Sequence, residues 1–310
     1  MERRALRKAV VTGGTGLVGR RLVAALAGQG AMVAVVSRNP ERARLPKGAE
    51  AHPWKALPAL LEGADAVFNL AGEGIADQRW SPGRKEAILR SRVEGTRRIA
   101  EALRWAGLKP AVLVNASAVG FYGPSGSARL DEEAPPGEDF LAEVCQAWEQ
   151  ETEAIAAMGV RVARLRLGVV LAGEGGALPR LAAPVRSFLG CALGDGRQGI
   201  SWIHIEDLVR LFLEAAANPA YSGAFNATSP EPVSQGDLAR ALARLLHRPL
   251  WPVSAALTQF ALRRLLGELA DAMILQGAYV VPAKALALGF TFTFGRIEPA
   301  LADLLGRRTS

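Results

Sequence analysis

Short apolar runs rich in valine alternate, along the first half of the chain, with longer segments of helical periodicity. The runs have the length of strands, and segments rich in Ala, Leu and Arg separate most of them; the runs are AVVTGG at 9–14, MVAVVSR at 32–38, AVFNLAG at 66–72, AVLVNAS at 111–117 and RVARLRLGVVL at 161–171. Strands that are apolar along their whole length are buried on both faces of a sheet. The pattern therefore predicts an α/β fold of the Rossmann type, a doubly wound parallel sheet with helices on both sides.

The alternation of strand-like runs with helical segments ends after about residue 172, where strand-like runs become rare. Prolines then stand at positions 179, 184, 219, 230, 232, 249, 252 and 282. Because proline interrupts regular elements, this half is expected to be built from shorter pieces. We expect a Rossmann domain over 1–172 and a smaller, more helical C-terminal lobe over 173–310, with some later segments returning to the first domain.

Composition narrows the class of protein. Half of the 310 residues are hydrophobic and 22% are charged, which supplies a large core and excludes a disordered chain. The net charge of +7 favours an anionic partner in general terms. The surplus arginines are scattered along the chain without a basic block or interleaved aromatics, so nucleic-acid binding remains only a minor alternative. We expect a small-molecule substrate, of unknown identity, and no nucleic-acid partner.

The cysteines and the N-terminus indicate the cellular compartment of the protein. Cys145 and Cys191 lie far apart and have no histidine at ligand spacing, so neither a disulfide framework nor a metal site is expected. The N-terminus lacks the long apolar run of a secretory signal, and no apolar stretch approaches the roughly 20 residues of a membrane span. These observations predict a cytoplasmic protein with no membrane partner.

A glycine-rich loop joins the first predicted strand to the first predicted helix. Gly13, Gly16 and Gly19 follow the strand Ala9 to Val11, and the helix begins at about Leu17. Glycine permits a tight turn and a close approach of the backbone to a pyrophosphate, whose charge is stabilised at the helix N-terminus. The loop predicts a dinucleotide site, which also includes the intervening Thr15, Leu17 and Val18.

The end of the second strand indicates which dinucleotide is bound. An acidic residue there would accept a hydrogen bond from a ribose 2′-hydroxyl, as expected for NAD, but VAVVSRNP ends in Ser37 and Arg38. Arginine pairs bidentately with a 2′-phosphate and stacks on adenine. The predicted cofactor is therefore NADP(H).

These motifs together resemble an extended short-chain dehydrogenase/reductase, and within it the atypical epimerase family proteins, which are related to nucleoside-diphosphate-sugar epimerases. The resemblance covers nearly the whole chain and rests on VTGGTGLVG, VVSRNP, VFNLAGEGIADQRW, SRVEGT, NASAVGFYG, CQAWE, LRLGVVL, WIHIEDLV, FNATSPEPVS, LLGELA and VPAKALALGF. It implies cofactor contacts for Leu70, Ala71 and Gly72 after the strand beneath the cofactor, and for Arg92 on the next helix. It implies that Ser117 is the active-site serine that binds a substrate oxygen.

One departure from the family pattern concerns proton transfer. Active members carry Tyr-x-x-x-Lys on a helix, where tyrosine transfers a proton and lysine lowers its pKa. Alignment on Glu149 puts Leu141 at the tyrosine position and Cys145 at the lysine position, and residues 132–163 contain neither Tyr nor Lys. A leucine transfers no proton, and a cysteine without a cationic neighbour stays a neutral thiol near its usual pKa of about 8.5. Tyr122 is the candidate substitute, although its FYG turn is typical of a structural tyrosine.

The loop that follows Gly72 holds further polar candidates. Glu73 stands at the carboxyl end of a strand, where open α/β sheets bind ligands, and DQRWSPGRKE adds Lys85 together with arginines and a tryptophan. Such a loop would bind an anionic, flat or sugar-like substrate, or it would form a cap over the cofactor. Both alternatives remain open, and Glu73 and Lys85 are the candidate substrate-binding residues.

Two functions are compatible with these residues. The first is an NADP-dependent oxidoreductase or epimerase acting on a carbonyl, alcohol or sugar-like substrate, with protons moved by Tyr122, Glu73 or water. The second is a catalytically impaired NADP-binding regulator or partner protein that has lost the Tyr/Lys pair. We favour the enzyme, because the loop and the C-terminal lobe keep polar groups that a nucleotide sensor would not need. A homodimer is compatible with either function.

Overall fold

Fourteen strands and twelve α-helices are present in the computed structural model, which describes residues 6–306. The strands are β1 (Lys8–Thr12), β2 (Met32–Ser37), β3 (Ala49–Pro53), β4 (Ala66–Asn69), β5 (Val112–Ala118), β6 (Arg129–Leu130), β7 (Arg161–Leu167), β8 (Val169–Ala172), β9 (Gly175–Gly176), β10 (Gly199–Ile200), β11 (Trp202–His204), β12 (Gly223–Ala227), β13 (Val233–Ser234) and β14 (Tyr279–Val280). The α-helices are α1 (Leu17–Gly28), α2 (Leu57–Leu61), α3 (Pro82–Leu103), α4 (Phe140–Gln150), α5 (Glu153–Ala156), α6 (Ala177–Arg186), α7 (Ile205–Ala217), α8 (Gln235–Leu245), α9 (Ala255–Leu266), α10 (Glu268–Ala270), α11 (Ala283–Ala287) and α12 (Ile297–Gly306). Short 3-10 turns lie at Pro40–Arg42, Trp54–Ala56 and Val119–Tyr122, and a π turn lies at Asp271–Leu275.

Seven of the strands form the central sheet, in the order β12-β7-β5-β4-β1-β2-β3, and every pair of neighbours is parallel. The chain winds in one direction from β1 to β3 and in the other from β4 to β12. The strand order therefore reverses between β1 and β4, and open α/β sheets bind ligands at such a switch point. The predicted Rossmann-type architecture is confirmed.

Helices cover both faces of this sheet. On one face α1 and α7 bury apolar side chains against the strands, among them Leu22, Leu26 and Phe212. On the other face α2, α3 and α5 bury a second cluster that includes Leu61 and Ile99. The valine-rich strands are buried between the two clusters, which is why their sequences read as continuous apolar runs.

The structure differs from the sequence prediction at three strands. The run predicted as one strand at 161–171 is two strands, because the chain turns at Gly168 and β8 pairs with β11 instead of the central sheet. A Cβ at Gly168 would lie 2.5 Å from the carbonyl oxygen of Ser201, so only glycine allows this crossing. The prediction also missed β3 and β12, which form the two edges of the sheet. Their short sequences, AEAHP and GAFNA, lack a continuous apolar run.

The C-terminal region is smaller and largely helical, as predicted. Helices α6, α8 and α12 bury a separate cluster that contains Trp202, Leu238 and Leu301. Strand β12 and helix α7 come from residues beyond 172, yet both pack in the first core. The chain leaves the central sheet after β7, where β8 begins and pairs with β11 in a separate small sheet.

Candidate functional site

The glycine loop packs against the end of β4 with no room for side chains. Gly13 has φ +70°, and a Cβ there would lie 2.5 Å from the carbonyl oxygen of Leu70. A Cβ at Gly19 would lie 2.2 Å from the carbonyl oxygen of Gly13. Leu70 and Ala71 therefore lie directly beside the loop, and the cofactor contacts expected of Leu70, Ala71 and Gly72 stay a prediction.

The N-terminus of α1 is open and electropositive. Gly16 caps the helix, its first turn contains no acidic residue, and Thr15 and Gly16 are exposed. The partial positive charge of a helix N-terminus and its free N–H groups bind phosphate oxygens. The loop thus fits the pyrophosphate of a dinucleotide by its shape and by its charge.

Arg38 and Glu73 meet across the site, although 34 residues separate them. Arg38 Nη1 lies 2.6 Å from Glu73 Oε1, and Arg84 Nη1 lies 3.4 Å from Glu73 Oε2. The Arg38 guanidinium beside Glu73 holds the pKa of that carboxyl below its usual value, with Arg84 adding to the effect. Glu73 therefore lies at the predicted 2′-phosphate position, not in a separate substrate pocket.

Arg92 extends from α3 beneath the loop after β4. Its Nη1 donates to the carbonyl oxygens of Glu73 (3.1 Å) and Ile88 (3.0 Å), and its guanidinium faces the ring of Trp148 at 5.2 Å. A Cβ at Gly72 would lie 3.1 Å from Arg92 Cζ. No carboxylate lies within ion-pair distance of Arg92 among residues 6–306, and burial lowers its pKa. A buried cation of this kind can compensate an anionic ligand.

Both predicted catalytic hydroxyls belong to one buried hydrogen-bond network. Ser117 donates to Glu149 Oε1 (2.7 Å), and Glu149 accepts two hydrogen bonds from Arg166, each of 2.9 Å. Arg166 also donates to the hydroxyl of Tyr122 (2.9 Å), which in turn donates to Oδ1 of Asn226 (2.7 Å). All five side chains are buried.

Tyr122 therefore does not fit the acid/base role suggested for it. Its hydroxyl is saturated by Arg166 and Asn226, and burial raises the pKa of the phenol. Ser117 is 3% exposed and its proton points to Glu149. Within this network Ser117 links β5 to α4, and Tyr122 links its turn to β7 and β12, which argues against proton transfer by either hydroxyl.

Leu141 and Cys145, at the positions aligned with the family's tyrosine and lysine, pack against the turn that contains Gly120. A Cβ at Gly120 would lie 3.2 Å from the Cβ of Leu141 and 3.9 Å from the sulfur of Cys145. Burial raises the pKa of the Cys145 thiol to about 12; Glu149 adds to that shift and Arg92 opposes it. Neither residue exchanges a proton near neutral pH.

Lys85 lies at the boundary between the two parts of the chain. Its ammonium pairs with Glu268 on α10 and lies 5.6 Å from the ring centre of Trp80 and 5.0 Å from that of Phe140. Phe140 begins α4, the helix that carries the aligned tyrosine and lysine positions. The two candidate substrate-binding residues thus have different partners, since Lys85 pairs with Glu268 whereas Glu73 pairs with Arg38 and Arg84.

Sequence reasoning missed a row of polar side chains near the carboxyl ends of the strands. Thr12, Asn69 and Asn115 are in register on β1, β4 and β5, and hydrogen bonds of 2.6 Å link Asn69 to each of the other two. Arg166 and Asn226 are in register on β7 and β12. The available signal was a polar residue near the end of each otherwise apolar run.

Comparison with known families shows which family the chain belongs to. A model of the NAD dependent epimerase/dehydratase family matches residues 9–227. The chain belongs to that family. A second model, described as a domain of unknown function (DUF1731), matches residues 257–304. The glycine loop and the polar row lie within the epimerase/dehydratase part, and α9 to α12 lie almost wholly in the second.

Individual relatives match this epimerase family protein over nearly its whole length. It is 40% identical over 309 residues to an epimerase family protein SDR39U1 homolog, chloroplastic, from Arabidopsis thaliana, covering 95% of this chain and 86% of that one. It is 38% identical over 309 residues to epimerase family protein YfhF from Bacillus subtilis (strain 168), covering 96% and 98%. The crystal structure of human epimerase family protein SDR39U1 (isoform2) with NADPH is similar at a TM-score of 0.86 and 30% identity, covering 97% and 99%. The resemblance to epimerase family proteins is confirmed, and the cofactor class of the family is a nicotinamide dinucleotide.

No helix within residues 6–306 is both long enough and apolar enough to cross a membrane. No group of His, Cys, Asp and Glu in the same residues has the arrangement of a metal site. The cytoplasmic location stays a prediction.

Proposed function

We propose that this epimerase family protein binds NADP(H) at the switch point between β1 and β4. The observation that carries the proposal is the distribution of positive charge around the glycine loop. The open N-terminus of α1 would hold the pyrophosphate, and Arg38, whose side chain is 78% exposed, would hold the 2′-phosphate. The related human structure contains NADPH, which supports the same choice.

The residues around this site fit that cofactor in other respects. Gly13 and Gly19 allow a close packing of the loop that any Cβ would prevent, and Arg92 is a buried cation without a carboxylate partner among the described residues. Bound NADP(H) would supply a hydride donor or acceptor. The protein's own contribution would be to bind the anionic groups and to exclude water beneath the loop after β4.

We infer further that the main function is binding of the cofactor without the acid/base chemistry of active relatives. Leu141 and Cys145 replace the proton-transferring pair. The Cys145 thiol has a pKa of about 12 and therefore stays protonated near neutral pH. Ser117 and Tyr122 are engaged in the buried network. Cofactor occupancy would then stabilise one conformation of the loop and the C-terminal region, as in a regulator or partner protein.

The second candidate function is an oxidoreductase or epimerase with an anionic, flat substrate. The observation that favours it is the contact of the Lys85 ammonium with the rings of Trp80 and Phe140, beside the start of α4. A cation beside two aromatic rings is a suitable subsite for a carboxylate or phosphate attached to a ring. Protons would then come from solvent.

The experiment that tests the proposal is equilibrium binding of NADPH, NADP, NADH and NAD, followed by nicotinamide fluorescence and by calorimetry. We expect tight binding of both phosphorylated forms and weak binding of the others. Arg38→Asp should weaken NADPH binding by about 2 to 4 kcal/mol, because a charge-assisted pair is lost and a repulsion is added. Arg104→Asp, at the exposed end of α3, is the matched control and should change nothing.

Hydride transfer separates the two candidates. NADPH-loaded protein is mixed with a panel of carbonyls and alcohols, and loss of the reduced nicotinamide is recorded above the rate without protein. No transfer across the panel supports the binding function. Transfer that Lys85→Gln abolishes, with NADPH affinity unchanged, would establish the oxidoreductase instead. Absence of binding by all four dinucleotides would overturn both.

A further inference from the structure

An apolar and basic surface lies on the C-terminal region. It consists of residues 175–194 and 238–267, which include α6, α8 and α9, and we call it the basic tip. Six large apolar side chains on it are each more than half exposed; they are Phe188, Leu189, Trp251, Leu257, Phe260 and Leu265. Such a concentration of exposed apolar side chains indicates an interaction surface.

Direct contacts make the basic tip one continuous surface. The indole nitrogen of Trp251 donates to the carbonyl oxygen of Phe188 (2.8 Å), and the guanidinium of Arg248 lies 4.3 Å from the Phe188 ring centre. The backbone N–H of Gly194 donates to the hydroxyl of Thr258 on α9 (3.0 Å). The loops that follow α6 and α8 therefore lie beside the start of α9.

Helix α9 presents most of its surface to solvent. Thr258 is its one buried residue among the twelve. One open groove of about 490 Å³ is lined by residues at helical spacing on a single face; they are Ala256, Gln259, Phe260, Arg263 and Arg264. A neighbouring groove of about 360 Å³ is lined mainly by basic side chains, with Arg240, Arg244, His247 and Arg248 among them. Apolar and cationic groups thus alternate across the surface.

The basic tip holds the whole formal charge excess of the protein. The chain has 37 Lys and Arg against 30 Asp and Glu, and these two segments contain seven of the arginines and no carboxylate. Three of the seven lie within ion-pair distance of carboxylates at the borders of the surface. The other four have no ion-pair partner among the described residues; they are Arg186, Arg244, Arg248 and Arg264.

Backbone strain at Phe188 is a second, independent observation. Phe188 has φ 60° and His247 has φ 51°, and no other non-glycine residue among the described ones has a positive φ. Each follows the end of a helix, α6 or α8, at a position where glycine is favoured. A phenylalanine there is strained relative to glycine, and its aromatic ring is half exposed beside Arg248.

We propose that the basic tip binds the surface of an anionic lipid membrane. Phe188, Trp251 and Phe260 would enter the headgroup region, where aromatic side chains are favoured, and the unpaired arginines would contact lipid phosphates. Peripheral binding of this kind needs no spanning helix. A second copy of the chain is a poor occupant, because a two-fold contact would bring the unpaired arginines of two copies together.

Sedimentation with vesicles tests the proposal on the full chain. Vesicles of phosphatidylcholine alone are compared with vesicles of phosphatidylcholine and phosphatidylglycerol in equal parts, at low and at high salt. We expect at least tenfold stronger partitioning onto the anionic vesicles at low salt, and a marked decrease at high salt because charge attraction is screened. Equal partitioning onto both kinds of vesicle, or none, overturns the proposal.

Variants locate the contact and separate its two components. Arg244→Glu with Arg264→Glu should reduce partitioning by at least tenfold, since each arginine contributes about fivefold at an anionic surface. Phe260→Ser should reduce it severalfold, whereas Trp105→Ser, at an exposed tryptophan outside the basic tip, should not. NADPH affinity and thermal unfolding are measured to show that each variant is folded.

Three results would contradict the assignment. Vesicle binding that survives both tip variants would place the contact elsewhere, and loss of binding in Trp105→Ser would remove its specificity. Protein that associates with itself through the tip but ignores anionic vesicles would make a second copy the occupant. Because dinucleotide binding is measured separately, failure here is distinguishable from failure of the proposed function.

Discussion

Glu73→Gln should strengthen the binding of NADPH. In the free protein the Glu73 carboxylate pairs with Arg38 at 2.6 Å and with Arg84 at 3.4 Å. A 2′-phosphate that binds Arg38 must therefore displace or share an internal counterion. Glutamine keeps the size of the side chain and can still accept a hydrogen bond, but it removes the competing negative charge.

The magnitude follows from the exposure of the pair. Because the Arg38 side chain is 78% exposed and that of Glu73 27%, loss of their ion pair changes the free energy by only about 0.2 to 1 kcal/mol. A carboxylate and a phosphate dianion on opposite sides of one guanidinium, roughly 7 Å apart, repel by on the order of 1 kcal/mol in a solvated site. Together these contributions predict an increase in NADPH affinity of about five- to thirtyfold.

The assay is a fluorescence titration with NADPH and NADH in parallel. NADH lacks the 2′-phosphate, so its affinity should change little and the preference for NADPH should increase by the same factor. Glu151→Gln is the control, because Glu151 also pairs with an exposed arginine, Arg97, at 2.6 Å on the outer surface of α4. High salt should reduce the difference, since both charges are partly solvated.

A parallel gain in NADH affinity would refute the reasoning, because the repulsion acts only on the phosphate. A decrease in NADPH affinity would mean that Glu73 orients Arg38 instead of competing for it. The first result would require a different account of cofactor choice, in which Arg38 is not the phosphate ligand.

Four further predictions concern the interior and the basic tip. Glu149→Gln should cost about 3 to 5 kcal/mol, because it leaves the buried Arg166 guanidinium without its carboxylate, and Arg166→Met in the same chain should recover part of the loss in urea unfolding. Cys145 should resist a thiol reagent at pH 9 while partly exposed Cys191 reacts, so native protein should show one reactive thiol and unfolded protein two. Since the folded pKa of Cys145 is about 12 and the unfolded value about 8.5, stability should fall as pH rises above that lower value. Phe188→Gly should raise the free energy of unfolding by about 1 kcal/mol by relieving a positive φ, and a lower unfolding midpoint would contradict the strain.

The fold could be read largely from local pattern. Five apolar runs predicted strands that the structure contains, because burial on both faces of a parallel sheet demands apolar residues along the whole strand. The edge strands β3 and β12 escaped prediction, since an edge is buried less completely and its sequence is mixed. The break between β7 and β8 at Gly168 was not predicted, because it depends on contact with Ser201, more than thirty residues later.

The candidate cofactor site was likewise predictable only in part. The glycine loop and Arg38 were predictable, because the loop between β1 and α1 and the end of β2 are local features with fixed positions in the fold. The pairing of Arg38 with Glu73 was not, and neither was the network that joins Ser117 to Asn226 through Glu149 and Arg166. These contacts join residues from different strands and helices, which only the folded chain brings together.

Charge distribution marks the boundary between what the sequence determined and what the tertiary structure decided. By itself the sequence determined the strand and helix pattern, the dinucleotide loop, the loss of the Tyr/Lys pair and a net charge of +7. Along the sequence its arginines are scattered, because polar and apolar residues separate them and no basic run forms. Folding brings two distant segments side by side and leaves their apolar and basic side chains exposed together. Periodicity reports what each segment buries against its own core, whereas a surface is shared by segments that only tertiary packing makes adjacent.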